Sequence, residues 1–226
     1  MTDTIALQES ILGKNDELAA VLRARFAASG TFVVNFLSSP GSGKTTLLEE
    51  TLRRLAPRYR VAALVGDQAT ENDSLRLRRS GAPVRQITTG DECRLDADMI
   101  GNALEGWDVG PLDALFIENV GNLICPAEYD LGEDFRAVLF SVTEGEDKPL
   151  KYPLAFNTSH VALVTKADLA QAVDFGREAA YAAIRAVHPG IPILELSSRT
   201  GAGLDAWIAL LEQRIAEKSA AAATTV

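Results

Sequence analysis

SSPGSGKTT, residues 38–46, lies between an apolar run and a segment with helical periodicity. It matches the phosphate-binding formula G-x-x-x-x-G-K-[ST], except that Ser38 stands at the first glycine. Gly41 and Gly43 would let backbone N–H groups wrap closely around a phosphate. A glycine-rich turn without a ligand is the alternative. The Lys-Thr pair that follows in this strand–loop–helix context favours a nucleoside triphosphate site instead.

The residues after this loop have distinct predicted roles. Lys44 would reach the β- and γ-phosphates, and Thr45 would supply a hydroxyl to Mg²⁺. The helix that begins here adds the positive end of its dipole. The remaining positions predicted to bind the nucleotide are Pro40, Gly41, Ser42, Gly43 and Thr46.

Seven short apolar runs predict buried strands, and helix-length segments such as 45–56 and 174–188 separate several of them. Strands without polar alternation, separated by helices, are typical of a parallel sheet covered on both faces. The sequence therefore predicts an α/β phosphate-loop NTPase fold with a mostly parallel sheet of about seven strands. The predicted strands are 31–37, 60–66, 84–88, 112–118, 136–142, 160–166 and 191–197.

The chain is predicted to have one globular domain with two flanking segments. Residues 1–30 have helical spacing of apolar positions and predict an N-terminal amphipathic helix. Residues 31–217 form the nucleotide-binding domain, and residues 218–226 are expected to be a flexible tail.

Composition narrows the class of protein. The net charge of −9 argues against a nucleic-acid surface, and the basic run at 75–79 is interpreted as the solvated face of a helix. No segment approaches the ~20 apolar residues of a membrane span, so no membrane partner is expected. Two cysteines without a secretory signal predict a cytoplasmic protein in which a structural disulfide is not expected.

A second motif points to the base of the nucleotide. TKAD, residues 165–168, resembles the guanine-reading N/T-K-x-D motif of GTPases, with Thr165 at the usual Asn. Asp168 can accept hydrogen bonds from N1 and N2 of guanine, which adenine cannot donate, while Lys166 packs along the base. The loop 197–203 resembles the segment that closes the base pocket. Its residues predicted to face guanine are Ser198 and Arg199.

Two carboxylates follow predicted strands. Asp67 ends the second strand and Glu118 ends the fourth, at the sheet edge where open α/β folds bind ligands. Both are predicted to hold Mg²⁺ and to serve catalysis with Lys44, although either could merely cap a loop. Gly121 completes an E-x-x-G switch and would approach the γ-phosphate. Because no Gln or Arg stands out to orient water, slow hydrolysis is expected.

Together these segments resemble the hydrogenase nickel-incorporation GTPases of HypB type, over about residues 8–216. The most specific stretch is ENVGNLICPAEYDLGE, from residue 118. The resemblance implies a cytoplasmic GTPase that cycles between GTP and GDP and forms a homodimer on binding GTP. It also implies nickel delivery to a [NiFe]-hydrogenase large-subunit precursor, together with a companion nickel-maturation protein.

The resemblance also implies a Ni²⁺ or Zn²⁺ site at the dimer interface, whose thiol ligands correspond to Cys93 and Cys125. Here the sequence departs from its relatives, because Arg94 stands at the ligand histidine and Asp98 where many members have another histidine. Arginine cannot ligate a metal. The only histidines lie elsewhere, at His160 and His188.

Two thiols are too few for a closed tetrahedral site, but a symmetric dimer would supply four. Such a Cys₄ site suits zinc and is acceptable for nickel. The alternative is that both cysteines are small apolar residues of a packed interface, left after loss of the metal function.

The charged segment TEGEDKPLKYP, residues 143–153, is either a solvated connection or an element of the dimer. The resemblance suggests that Lys148 or Lys151 approaches the nucleotide or the partner subunit, as an arginine finger does. Two rival functions remain. One is a GTPase chaperone of the same branch that serves another metalloenzyme with its metal site degraded, and the other is a scaffold that binds nucleotide without hydrolysing it.

Overall fold

The architecture is a single seven-stranded parallel sheet. The computed structural model describes residues 2–68 and 72–224, with side chains from residue 10 onwards. The strand order is β3-β2-β4-β1-β5-β6-β7, and every neighbouring pair is parallel. All seven predicted strands are confirmed. They are β1 Phe32–Ser38, β2 Val61–Asp67, β3 Val84–Thr88, β4 Ala114–Glu118, β5 Phe135–Ser141, β6 Val161–Thr165 and β7 Ile193–Glu195.

Helices cover both faces of the sheet, as predicted. Three pack on one face, where Leu48, Leu77 and Trp207 form one apolar cluster with the alternate β1 residues. The opposite face carries two further clusters built around the remaining helices. The helices are α1 Thr2–Ser29, α2 Lys44–Leu55, α3 Asn72–Leu77, α4 Ala97–Leu104, α5 Cys125–Glu128, α6 Lys148–Lys151, α7 Pro153–Asn157, α8 Arg177–Val187 and α9 Leu204–Thr224.

Strand order brings the predicted phosphate-site residues together. β4 lies between β1 and β2, and Glu118 is in register with Phe36 on one side and Val65 on the other. The carboxyl ends of these three strands therefore meet at one edge of the sheet. The order of connection reverses beside β1, and such a switch point leaves a crevice outside the strand ends.

The N-terminal helix is part of the domain core. Ala19, Leu22 and Phe26 of α1 are buried at helical spacing and belong to the same apolar cluster as α4. The turn at Gly132 touches this helix, since a Cβ there would lie 2.8 Å from the carbonyl oxygen of Ala19. Gly132 also has φ of 77°, so the close approach and the backbone both require glycine.

The C-terminal segment differs from the predicted flexible tail. α9 continues as a helix to Thr224, well beyond residue 217. Lys218 Nζ donates to Asp134 Oδ1 at 2.5 Å, and Ala222 lies against Gly30 at the end of α1. The alanine-rich sequence favours helix, and this contact with α1 gives the segment a partner that its sequence does not reveal.

Candidate functional site

The phosphate loop has the backbone that its glycines predict. Gly41 and Gly43 have φ of 76° and 90°, a left-handed conformation that strongly favours glycine. Ser38, at the formula's first glycine, is the buried last residue of β1 and needs no unusual backbone. The departure from the formula therefore leaves the loop intact.

Glu118 is the most deeply buried charged group beside this loop. Its Oε1 accepts a 2.6 Å hydrogen bond from Thr45 Oγ1 and lies 3.7 Å from Lys44 Nζ. Its Oε2 is buried without a hydrogen-bond partner among the described residues. Burial raises the pKa of Glu118 above its ordinary value, against the opposing effects of the Lys44 charge and the Thr45 hydrogen bond.

Asp67 lies across the same cavity, which has a volume of about 630 Å³. Its Oδ1 accepts from the backbone N–H of Gln68 at 2.8 Å. Asp67, Thr45 and Glu118 thus present a hydroxyl and two carboxylates around one space. Magnesium prefers such oxygen ligands and retains several waters, and the unpaired Glu118 Oε2 is suited to accept from one. These residues fit Mg²⁺.

The switch segment after Glu118 touches the phosphate loop directly. A Cβ on Gly121 would lie 3.2 Å from Cα of Pro40, which is tighter than ordinary van der Waals contact. One residue further, Asn122 forms an isolated antiparallel bridge with Ser38. A movement of the phosphate loop would therefore displace residues 121–122.

The predicted base-reading residues lie next to the phosphate loop. Lys166 has φ of 56°, which turns its side chain back so that Nζ donates to Gly41 O at 2.7 Å. Thr165 Oγ1 donates to Ser42 O at 2.7 Å. Thr165, which stands where the usual motif has Asn, therefore holds the loop from behind.

Asp168 is held by a residue that sequence reasoning missed. Its Oδ1 accepts from Ser197 Oγ at 2.6 Å, and Ser197 Oγ also accepts from the N–H of Thr200. Ser197 is buried, whereas Ser198 is half-buried and Arg199 exposed. The SSRTG loop thus orients the carboxylate of Asp168 through its first serine.

Cys93 and Cys125 lie together within one chain. Their Cα atoms are 6.3 Å apart and their sulfurs form a disulfide. The prediction that no disulfide would be present is therefore wrong for this structure. The reason is tertiary: the loop before α4 and the start of α5 meet beside the carboxyl end of β4, and a separation of 32 residues conceals this proximity.

The chain's match to a known protein family covers most of this site. The family model described as CobW/HypB/UreG, nucleotide-binding domain, matches residues 32–195. The chain belongs to this family. The match spans all seven strands, the phosphate loop, both cysteines and Asp168, so the family shares the architecture described above.

Individual members of the CobW/HypB/UreG family are similar to this chain in sequence and in structure. A hydrogenase maturation factor HypB from Azotobacter chroococcum mcd 1 is 49% identical over 93% of this chain and 69% of its own. The crystal structure of HypB from Archaeoglobus fulgidus has a TM-score of 0.84 at 40% identity, covering 90% of this chain and all of that one. HypB from Helicobacter pylori in complex with nickel has a TM-score of 0.85 at 38% identity, covering 91% and 97%. The resemblance recognised from the motifs is confirmed.

Arg94, which stands where the resemblance implies a ligand histidine, makes its contacts with other residues. Its guanidinium lies 3.9 Å over the ring of Tyr129 and pairs with Glu92 at 2.5 Å. Its Nε is buried without a hydrogen-bond partner in the described part of the chain. Asp98 accepts from Asn102 on α4 at 3.0 Å. Among the described residues, no group of three or more His, Cys, Asp or Glu side chains is placed to hold a metal ion.

Neither histidine lies at the cysteine pair. His160 Nδ1 accepts from the N–H of Arg136, and its ring stacks on Phe135. His188 Nδ1 forms a hydrogen bond with the carbonyl oxygen of Phe156. Both are explained by local packing.

Three polar residues in the cavity were missed by sequence reasoning. Gln68, Asp73 and Arg76 line it together with the predicted residues. Arg76, interpreted from sequence as part of a solvated run, pairs with Glu49 of α2 at 2.7 Å. Their only signal in the sequence is that they follow β2, whose carboxyl end faces the phosphate loop.

Lys148 is held within its own chain. Its Nζ lies 3.1 Å from Glu144 Oε2, while Glu144 Oε1 accepts from Ser42 Oγ of the phosphate loop at 2.7 Å. Lys151 is exposed and pairs with Asp147. Lys148 is thus separated from the nucleotide cavity by one carboxylate, that of Glu144.

None of the helices in the described part of the chain combines the length and apolarity needed to cross a bilayer.

Proposed function

We propose that this protein is a GTP-hydrolysing metallochaperone that delivers nickel during [NiFe]-hydrogenase maturation. The observation that carries the proposal is that one short segment, residues 118–125, begins at the buried carboxylate of the phosphate site and ends at Cys125. Nucleotide state and thiol geometry can therefore be linked through seven peptide units. The similarity to hydrogenase maturation factors, one of them crystallised with nickel, supports the same function.

GTP is the proposed nucleotide because of Asp168. With its Oδ1 fixed by Ser197, the carboxylate can accept from the N1–H and N2–H of guanine, donors that adenine lacks. Lys166, extended over Gly41, would cover one face of the base. Ser198 and Arg199 remain the proposed residues that close the pocket.

Groups of this chain would support the slow hydrolysis of GTP that we propose. Lys44 and the amides of the glycine-rich loop stabilise negative charge on the transferring phosphoryl group. Thr45, Asp67 and Glu118 would hold Mg²⁺, which would neutralise part of the negative charge of the phosphates. A slow turnover suits a timed delivery step, in which GDP and phosphate are products and a homodimer forms in the GTP state.

Nickel or zinc is the proposed cargo at Cys93 and Cys125. A cysteine binds metal as a thiolate, so a cellular dithiol reductant must first give the Cys93–Cys125 disulfide two electrons and be oxidised to its own disulfide. Two sulfurs from each subunit of a symmetric dimer would complete a four-thiolate site. Lys148 is proposed to leave Glu144 and contact the nucleotide or the partner subunit in that dimer. The hydrogenase precursor and a companion nickel-maturation protein are the proposed partners, in the cytoplasm.

The contacts of Arg94 favour one alternative to this function. An engaged arginine at the ligand-histidine position suits a chaperone of the same branch that serves another metalloenzyme with a degraded metal site.

Base selectivity tests the nucleotide assignment. Asp168→Asn should weaken GTP binding by about tenfold to a hundredfold, because a charged acceptor of two hydrogen bonds is lost. Binding of xanthosine triphosphate should strengthen, since an amide can donate to its O2. Calorimetric titration of both nucleotides measures this, with Asp205→Asn, whose side chain is almost fully exposed, as the matched control. An unchanged preference for GTP in Asp168→Asn would contradict the assignment.

Metal binding tests the cargo assignment and separates the two functions. In equilibrium dialysis of reduced, GTP-bound protein with nickel or zinc, wild type should hold one ion per dimer. Cys93→Ala and Cys125→Ala should each lose it. Arg94→His should bind about tenfold or more tightly, because a neutral ligand replaces a cation beside the thiolates. Equal metal content in wild type and both cysteine variants would leave only the alternative with a lost metal site.

A further inference from the structure

A buried polar network starts at Asn119, the residue after Glu118. Asn119 is fully buried, and its Oδ1 accepts from the N–H groups of Val120 and Leu95, both at 3.0 Å. Leu95 lies two residues after Cys93. One amide oxygen therefore ties the switch segment to the loop that carries the first cysteine.

The other half of the Asn119 amide leads towards the second cysteine. Its Nδ2 donates to Asn35 Oδ1 at 3.3 Å, and Asn35 Nδ2 donates to Glu133 Oε1 at 3.1 Å. Asn35 is a fully buried residue of β1, and Glu133 is also buried. The chain of hydrogen bonds thus crosses beneath the switch segment.

Arg136 carries the network to the helix of Cys125. Its Nε and Nη2 donate to Glu133 Oε1 at 2.9 and 2.6 Å. Its two Nη atoms donate to the carbonyl oxygens of Ala127 and Tyr129, each at 3.0 Å. Ala127 belongs to α5, which begins at Cys125.

The input end of the network borders the nucleotide cavity. Glu118 contacts Lys44 and Thr45, and Gly121 lies against Pro40. Asn119 sits between these two contacts. The members of the network are buried and mutually paired, so a shift of Asn119 would break buried hydrogen bonds unless its partners move with it.

We infer that Asn119 is a positioning residue that transmits the occupancy of the γ-phosphate position to both cysteines, through Leu95 to Cys93 and through Asn35, Glu133 and Arg136 to Cys125. This inference rests on the proposed nucleotide switch but requires no bound nickel. Loss of the γ-phosphate lets the switch segment shift, Asn119 carries Leu95 with it, and the chain to Arg136 resets α5. The separation of the thiols then changes with nucleotide state.

Site-resolved thiol alkylation tests the inference. Reduced full-length protein in saturating Mg²⁺-GDP or a non-hydrolysable GTP analogue is pulsed with iodoacetamide, and mass spectrometry gives the rate at Cys93 and at Cys125. In wild type both rates should differ between nucleotides by a factor within the roughly 5- to 150-fold range of allosteric couplings. In Asn119→Ala the ratio should fall to about one at Cys93, and it should also fall at Cys125, which the peptide segment 118–125 still links to Glu118.

Two variants separate coupling from mere support. Asn15 on α1 bridges the same loops without touching the switch, since it accepts from Ala97 N–H and donates to Asp130 O. Asn15→Ala should therefore speed alkylation in both nucleotide states and preserve the ratio. Asn35→Ala cuts only the branch to Arg136 and leaves the peptide segment 118–125 intact, so the ratio should fall at Cys125 and keep its wild-type value at Cys93.

The inference is overturned if the wild-type rates do not depend on the nucleotide, or if Asn119→Ala or Asn35→Ala retains the wild-type pattern. If Asn119→Ala does not fold, the site-specific result of Asn35→Ala decides. Nucleotide affinity is measured in parallel with fluorescent GDP and GTP analogues, and nickel by the dialysis above. Failure of GTP or nickel binding is thereby distinguished from failure of the coupling.

Discussion

Replacing Lys44 with alanine is expected to weaken GTP binding by roughly a thousandfold, about 4 kcal/mol. Each hydrogen bond to a charged group contributes about 1.5–3 kcal/mol, and Lys44 is placed to make two with the β- and γ-phosphates. Its side chain is only 10% exposed, so solvent cannot replace the lost charge fully. Dimerisation driven by GTP should disappear with the affinity. Titration of a fluorescent GTP analogue and light scattering measure both effects.

The matched control for Lys44→Ala is Lys14→Ala. Lys14 is exposed on α1 and has no predicted role at the nucleotide, so GTP affinity should stay within about twofold of wild type. Thermal unfolding of both variants checks the fold, because Lys44 also partly offsets the burial of Glu118. Wild-type GTP affinity in a folded Lys44→Ala protein would contradict the phosphate-loop assignment.

Replacing Arg136 with methionine is expected to lower the free energy of unfolding by about 3–5 kcal/mol, the typical result of breaking a buried ion pair. Arg136 and Glu133 have side chains that are 9% and 4% exposed. Methionine retains much of the volume but leaves the Glu133 carboxylate with Asn35 and Leu131 as its remaining donors. Urea unfolding followed by tryptophan fluorescence measures the loss.

Arg214→Met provides the same substitution in a solvated pair. Arg214 and Glu217 are about half exposed and one helical turn apart, so replacing Arg214 should lower the free energy of unfolding far less than replacing Arg136. An equal loss of unfolding free energy in Arg136→Met and Arg214→Met would contradict the prediction. It would mean that the cost of desolvating Arg136 cancels the stabilisation from its ion pair. Arg136→Lys, which retains the charge but not the fork geometry, should be intermediate.

Much of the site was predictable because it depends on local patterns. The left-handed turn at Gly41 and Gly43, the helix starting at Lys44 and the carboxylates at strand ends each follow from a few consecutive residues. Ser197 was missed because its contact with Asp168 depends on how the loop after β7 folds back over the end of β6. The side chain of Arg76 is 39% exposed, as the basic run predicts, but its ion pair with Glu49 of α2 at the cavity rim depends on a contact that the run does not reveal.

The sequence alone determined the parallel α/β sheet, the phosphate loop, the predicted guanine-reading Asp168 and the family. These follow from short motifs and from short apolar runs separated by helix-length segments. Tertiary structure decided that Cys93 meets Cys125, that Arg94 turns towards Tyr129, and that Asn119 connects the switch to both cysteine segments. These depend on hydrogen bonds and contacts between residues far apart in the chain. Their geometry is set only when the strands assemble in the order β3-β2-β4-β1-β5-β6-β7, which no local pattern specifies.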